Sequence, residues 1–411
     1  MKRIVIFIDG TWNRPDAEHQ TNVVRLARCV HHRSDGGMPQ MVIYSPGVGS
    51  GRGNTAVARK FDRMLGGALG WGLTDIIEET YRNLIFAYQP GDEVMVFGFS
   101  RGGFAARSLV GLIRSCGILR RSNLRAVPLA MQTYMARGPD THPSSDQSHR
   151  FRAEHSPDVV TSEKELTWRE KHSPEVADAL LLKVAYLGVW DTVSGLGIPA
   201  IVPGSQRVNQ QYQFHDTRLS SLVLTARHAI SIDERRATFP AYPWSNLDAL
   251  NRENRNYLLP SHMQQWFPGN HGSVGGGGSR IGLSSIALHW VALGAEEAGL
   301  AIDWEEFDRV AYDFDVTEGL DNKFGPVGMA SVLNVIAKDR AGPAGLEELS
   351  MAAVDRCFDD ETYRRNPTLA QVYHQLHGMD DDQRTAMRTA RRQADGWFTH
   401  LPGQIARPRR R

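Results

Sequence analysis

The sequence predicts an α/β fold, a mostly parallel central sheet flanked by helices, and three segments carry that reading. Arg3 to Ile8 is a short apolar run that ends in Asp9-Gly10-Thr11, a strand followed by turn chemistry. Thr74 to Tyr88 has the apolar spacing of an amphipathic helix and breaks at Gln89-Pro90-Gly91-Asp92, just before the dense apolar run Val94 to Phe97. That order is the grammar of a strand–helix–strand unit. Leu180 to Asp191, LLLKVAYLGVWD, is rich in Leu, Val and aromatics, as strands covered on both faces are.

Taken in chain order, the first strand exit has an electrostatic role to offer. Gly10, with Thr11 as the alternative, is the expected backbone donor from an early strand loop to a developing oxyanion. Asp9 either pairs with Arg101 to position the following turn or caps the strand exit locally. Asp-Gly-Thr after a first strand also suggests phosphatases with an aspartyl nucleophile, but their motif has an aspartate two positions earlier, where this chain has Phe7. Between Gly47 and Gly72 glycine is frequent, and Leu65 to Trp71 reads as a packed loop and helix start or as part of an acyl-binding wall.

Gly98-Phe99-Ser100-Arg101-Gly102 lies between the strand Val94 to Phe97 and the helical stretch Phe104 to Ile113. A G-x-S-x-G match is by itself a common Gly/Ser turn. Placed between strand and helix it reads as a nucleophile elbow, where Gly98 and Gly102 clear space for a sharp turn that exposes the serine oxygen. Ser100 is then the candidate nucleophile, and the N–H of Arg101, the residue after it, is the first oxyanion donor.

From Arg137 to Glu175 the composition turns polar and rich in Ser, His, Pro and charges, which predicts an exposed insertion or a partly disordered lid, not core. The strand that follows ends in Asp191, placed where an acid can orient a base at the carboxyl edge of a sheet; Asp191-Thr192 is also good capping chemistry. Gly195 to Pro203 is an apolar loop directly after it, able to touch lipid or to be a buried connection. Of fifteen histidines, two are candidates for the base. His271 begins a glycine-rich loop after Trp266-Phe267 and completes the order Ser, Asp, His, whereas His228 falls in the amphipathic segment Leu219 to Arg236 and reads as a structural histidine at a helix surface. Leu283 to Ala298 is a further helix, and beyond about residue 303 the pattern is mostly helical, with Met379 to Trp397 preceding a basic tail, Arg407 to Arg411.

Several blocks then resemble a known family: Phe7 to Asn13, Thr21-Asn22-Val23, Gly98 to Gly103, Leu187 to Val193, His228-Ala229-Ile230 with Asp233 to Arg236, and Trp266 to Gly277. In this order, across roughly residues 3 to 300, they are similar to the α/β-hydrolase domain found in phospholipase effectors of bacterial type VI secretion and in many standalone bacterial and fungal proteins. The resemblance implies an α/β-hydrolase-like domain with Ser100, Asp191 and His271 as catalytic residues. It further implies an ester or phospholipid substrate, no cofactor and no metal. The family loop usually reads His-Ser-Asp-Val-Gly-Gly; here it is His271-Gly272-Ser273-Val274-Gly275-Gly276, so an acidic residue is replaced by Ser273. The organisation expected is a catalytic domain over 1–302, with the polar insertion at about 137–175, and a helical extension over 303–411. The secreted effectors often carry a substantial additional region, for which this chain leaves little room.

Composition bounds the partners. Lys and Arg number 47 against 46 Asp and Glu, so no global field selects nucleic acid. The basic tail reads as a solvated terminus or as a peripheral contact to anionic lipid. Cys29, Cys116 and Cys357 have no paired spacing and read as reduced, buried thiols. The chain enters its first strand too soon for a signal peptide, and no run approaches the length of a membrane span. The expectation is a cytoplasmic product, exported, if it acts outside the cell, by a dedicated secretion apparatus that would be a partner alongside a neutralising immunity protein. Two function classes stand: a serine esterase or lipase, and a catalytically weak hydrolase-fold protein that binds a lipid or protein partner, the latter favoured by Ser273.

Overall fold

A computed structural model of the chain describes residues 1–11, 13–47, 71–136, 138–193, 217–237, 239–253, 260–320 and 338–394. The glycine-rich run from 48 to 70, most of the loop after Asp191, and the basic tail lie outside the described residues. The main sheet contains β1 (Arg3–Ile8), β2 (Gln40–Ser45) and β3 (Glu93–Phe99). It is completed by β6 (Val184–Trp190), β7 (Val223–Ser231) and β8 (His262–Phe267). The strand order is β2-β1-β3-β6-β7-β8, and every pairing is parallel.

Both faces of the sheet are covered, which is why its strands are apolar without a break. On one face Ile4, Ile6, Ile8, Val94 and Val96 pack with residues of α2 (Trp71–Ala87), α3 (Arg101–Cys116) and α4 (Val127–Met135). On the other, the alternate residues Val5, Phe7, Met95 and Phe97 meet α1 (Asn22–Arg28), α9 (Gly282–Glu297) and α10 (Trp304–Val310). The period-two alternation of strand side chains therefore feeds two separate cores. All three cysteines are buried and free, and burial pushes each thiol up to about 12, which makes them packing groups rather than reactive ones.

Sheet order reverses at β1. The chain goes from β1 to β2 on one side and then returns to place β3 on the other. In open α/β sheets the crevice at such a reversal, outside the carboxyl ends of the strands, is where ligands bind. Asp9 and Ser100 stand at the carboxyl ends of the two strands that flank it.

Two expectations are corrected. Leu180 to Asp191 is not one strand: β5 (Leu180–Leu181) pairs with β4 (Val159–Val160) in a small separate ribbon, and only Val184–Trp190 joins the main sheet. The segment around His228 is strand β7 and not a helix surface. Arg227 beside it is buried, and its guanidinium donates to the Trp290 carbonyl at 2.6 Å and to Glu297 at 2.8 Å. Of its two readings, the polar insertion fits that of an ordered insertion with many exposed residues and not that of a lid. Its helices α5 (Asp146–His155) and α6 (Glu163–His172) pack by the end of α3, where Arg152 donates to the Ser115 carbonyl at 2.7 Å. Helix α3 begins at the serine turn and runs away from it, so these helices pack by the end of α3 opposite Ser100.

A buried ion cluster explains how so polar a segment orders. Glu165 accepts Arg152 Nε at 2.7 Å, Arg169 Nη2 at 2.9 Å and the Thr161 N–H at 3.0 Å, with all three charged side chains fully buried. Removing the carboxylate strands two buried guanidinium groups. Glu165→Ala is expected to cost about 3–5 kcal/mol of unfolding free energy, read by urea denaturation, while turnover per folded molecule stays at the wild-type value.

Candidate active site

Ser100 sits between β3 and α3 at φ 59° and ψ −125°, and Asp191 follows β6 at φ 36°. Among the described residues these are the non-glycine positions with positive φ. Such a conformation costs a side-chain-bearing residue on the order of 1–3 kcal/mol and persists where the surroundings enforce it. Here the surroundings are close backbone contacts. A Cβ on Gly98 would lie 2.4 Å from the Gly102 carbonyl oxygen, and one on Gly102 would lie 2.3 Å from that of Ile8. Only glycine allows the turn to close against β1.

His271 opens the short helix α8 (His271–Gly275) after β8. Its Nδ1 lies 2.5 Å from Asp191 Oδ2 and its Nε2 2.8 Å from Ser100 Oγ. Three residues that are remote in sequence thus form one hydrogen-bonded chain at the carboxyl edge of the sheet. The imidazole is held between the rings of Phe99 at 4.6 Å and Phe239 at 4.8 Å, and its backbone N–H donates to Glu234 at 3.2 Å. Ser100 is 5% exposed and His271 3%, so the chain of bonds lies largely out of water, where its electrostatics are little screened.

Burial sets the charge states. It pushes the Asp191 carboxyl up, but the Arg340 guanidinium and the His271 hydrogen bond outweigh it and hold the group well below the ordinary carboxylate range. For His271, burial lowers the pKa against the opposing pull of Asp191, so the imidazole is a neutral base at neutral pH. The rival His228 is buried in β7, where its Nε2 accepts the Thr192 N–H at 3.3 Å, and burial followed by Arg107 keeps it neutral. It supports the strand exit next to Asp191, and among the described residues no hydrogen bond joins it to Ser100.

At the first strand exit the local cap is the reading of Asp9 that holds, and one oxyanion donor is corrected. Asp9 does not pair with Arg101: its carboxylate accepts the Gly10 N–H at 2.7 Å, Asn13 Nδ2 at 3.2 Å, the Thr21 hydroxyl at 2.8 Å and the Tyr44 hydroxyl at 2.9 Å. Four donors leave it no freedom to attack phosphorus, and burial raises it to about 6. Gly10 is also displaced as an oxyanion donor, because its N–H is spent on Asp9. Thr11, the alternative, is one residue further along the same loop, and its buried hydroxyl has no partner among the described residues. The loop itself is close enough to serve, since a Cβ on Gly10 would lie 3.1 Å from Ser100 Cβ. Arg101 is the first residue of α3, where the helix supplies no acceptor for its N–H.

Ser273, in place of the family's acidic residue, is engaged locally. Its hydroxyl and N–H both meet Asn270 Oδ1, at 3.0 and 3.1 Å, and so cap the helix that carries His271. The loop is anchored instead by Asp233, which accepts the Gly269 N–H at 2.6 Å, and by Glu234. No local pattern in the sequence marks these acids for a role, nor Arg340. Arg340 lies in Asp339-Arg340-Ala341-Gly342-Pro343, a loop with no periodicity to mark it.

A parallel sheet with a serine on a strained strand-to-helix turn, and with acid and imidazole on later strand exits in the order Ser, Asp, His, has the α/β-hydrolase architecture. Within that class, the family model described as type VI secretion system phospholipase effector Tle1-like, catalytic domain, matches residues 2–293, and the chain belongs to that family. An uncharacterised protein of Saccharomyces cerevisiae is 27% identical over 58% of this chain; the aligned part is 32% of that protein, so the chain matches only about a third of its relative's length. Among solved structures, an uncharacterised protein from Pseudomonas aeruginosa is 17% identical, with a TM-score of 0.40, over 96% of this chain and 62% of its own. The Tle1 effector bound to the VgrG spike is 15% identical, with a TM-score of 0.32, over 67% of this chain and 51% of its own. No helix among the described residues is long and apolar enough to cross a membrane.

Proposed function

We propose that the protein is a serine hydrolase that cleaves carboxylic esters, with phospholipid acyl esters as its substrate class. The observation that carries this reading is the Ser100–His271–Asp191 chain of hydrogen bonds, 2.8 and 2.5 Å long, on a strained elbow at the sheet's reversal. His271 Nε2 takes the Ser100 proton as Oγ attacks the ester carbonyl, and Asp191 stabilises the imidazolium through Nδ1–H. The N–H of Arg101 and the donors of Thr11 receive the oxyanion, aided by the positive end of α3. The imidazolium returns its proton to the leaving alcohol, and water, activated by the same nitrogen, frees the acid from the enzyme. Family membership supports the choice of phospholipid over a soluble ester, and it is also what supports a secretion apparatus and a neutralising immunity protein as partners.

A phospholipid with different acyl chains at its two positions, incubated with the protein and read by mass spectrometry, tests the substrate class. A single fatty acid and the matching lysophospholipid are expected, both absent with Ser100→Ala. Cleavage of short-chain esters alone would refute the phospholipid assignment. Binding of the lipid without release of fatty acid would favour the non-catalytic lipid binder.

A further inference from the structure

Asp191 is fully buried, and its second neighbour is a cation. Arg340 Nη1 donates to Oδ1 at 2.6 Å and Nη2 to Oδ2 at 3.1 Å, a two-pronged clasp on the carboxylate. The Ser231 N–H also donates to Oδ1, at 2.9 Å. Arg340 is itself fixed: it donates to the Ser231 carbonyl at 2.9 Å, the Ser231 hydroxyl at 2.8 Å and the Phe239 carbonyl at 2.8 Å, and only 8% of it is exposed. The backbone before it is tied down where the Lys338 N–H meets the Arg235 carbonyl at 2.7 Å, beside the Arg235–Asp339 ion pair. After it, Leu349 bridges to Trp266 of β8, and α11 (Met351–Asp359) packs on Ile230 and Trp266. The extension reaches the site from beyond residue 293, where the family match ends.

We propose that Arg340 is a positioning residue for hydrolysis, acting through Asp191: it locks the carboxylate in the orientation that receives His271 Nδ1–H and balances its charge. The proposal rests on the Ser–His–Asp reading above. The other groups around this pair do not supply that balance. Glu234 and Arg236 neutralise each other across 2.7 Å, His228 is neutral, and Arg107 lies over the rings of Tyr242 and Trp244. Without Arg340, Asp191 stands as an uncompensated negative charge against the imidazole. His271 then holds its proton more tightly, and the free base is lost at a higher pH.

The test is the pH dependence of kcat/KM for a soluble ester, measured on the full chain. Arg340→Gln should move the acid limb upward by about one unit or more, and plateau kcat should fall with KM little changed. Arg340→Lys keeps the charge and loses the clasp, so it should restore the acid limb and leave plateau kcat lowered. A folded Arg340→Gln with the wild-type acid limb and plateau would overturn the proposal. If that variant does not fold, wild-type plateau kcat in Arg340→Lys would overturn it. Ser100→Ala keeps the two ideas apart, because its inactivity upholds the hydrolase reading whichever way Arg340 falls, and its activity would remove that reading first.

Discussion

Ser100→Ala is expected to lower kcat by a factor on the order of 10^4–10^6 while leaving the fold in place. The substitution removes one oxygen and nothing else. The strained φ of 59° is set by contacts of Gly98 and Gly102 with neighbouring backbone, and these are untouched. The lost bond to His271 Nε2 is worth about 1 kcal/mol of stability, so the melting temperature should shift by only a few degrees. Circular dichroism and thermal melting, together with ester turnover at saturating substrate, separate the two effects. A large loss of stability would mean that the serine is holding the elbow, and a retained kcat would mean that another group attacks.

Asp191→Asn should differ in kind, because it strikes both catalysis and stability. The asparagine amide cannot accept Nδ1–H in the way a carboxylate does, so the imidazole loses its orientation and its counter-charge. Loss of an acid in this role lowers kcat by roughly 10^4. The same change leaves Arg340 as a buried cation whose only ion-pair partner among the described residues has gone. Breaking a buried pair from one side costs about 3–5 kcal/mol. Urea denaturation should therefore show a marked fall in midpoint for Asp191→Asn and almost none for Ser100→Ala. Equal stability of the two variants would argue against the Arg340 clasp.

What could be read in the sequence follows from how local each signal is. β1 and β3 were visible because strands covered on both faces must be apolar throughout, and Gly98, Ser100 and Gly102 were visible because a steric requirement fixes their spacing. The position of His271 was legible from chain order and from the loop that carries it. Other features were hidden by long-range compensation. Arg227 and His228 fall in a segment that reads as an amphipathic helix; pairing with β6 and β8 makes it a strand, and partners on α9 and at Thr192 satisfy the buried side chains. The insertion looks like exposed chain until Glu165 gathers Arg152 and Arg169. Gly10 has the right place for an oxyanion donor, but the carboxylate of Asp9 beside it takes the N–H, a competition that spacing does not reveal. Arg340 is the extreme case, since it meets Asp191 across 149 residues of sequence.

The central claim is that His271, held by Asp191, makes the Ser100 hydroxyl reactive. A fluorophosphonate probe, which phosphonylates activated serines, tests it by peptide mass mapping of the labelled protein. One adduct, on Ser100, is predicted for the wild type, and none for His271→Ala under the same conditions. Labelling of another residue, or of Ser100 at the same rate without His271, would contradict the account.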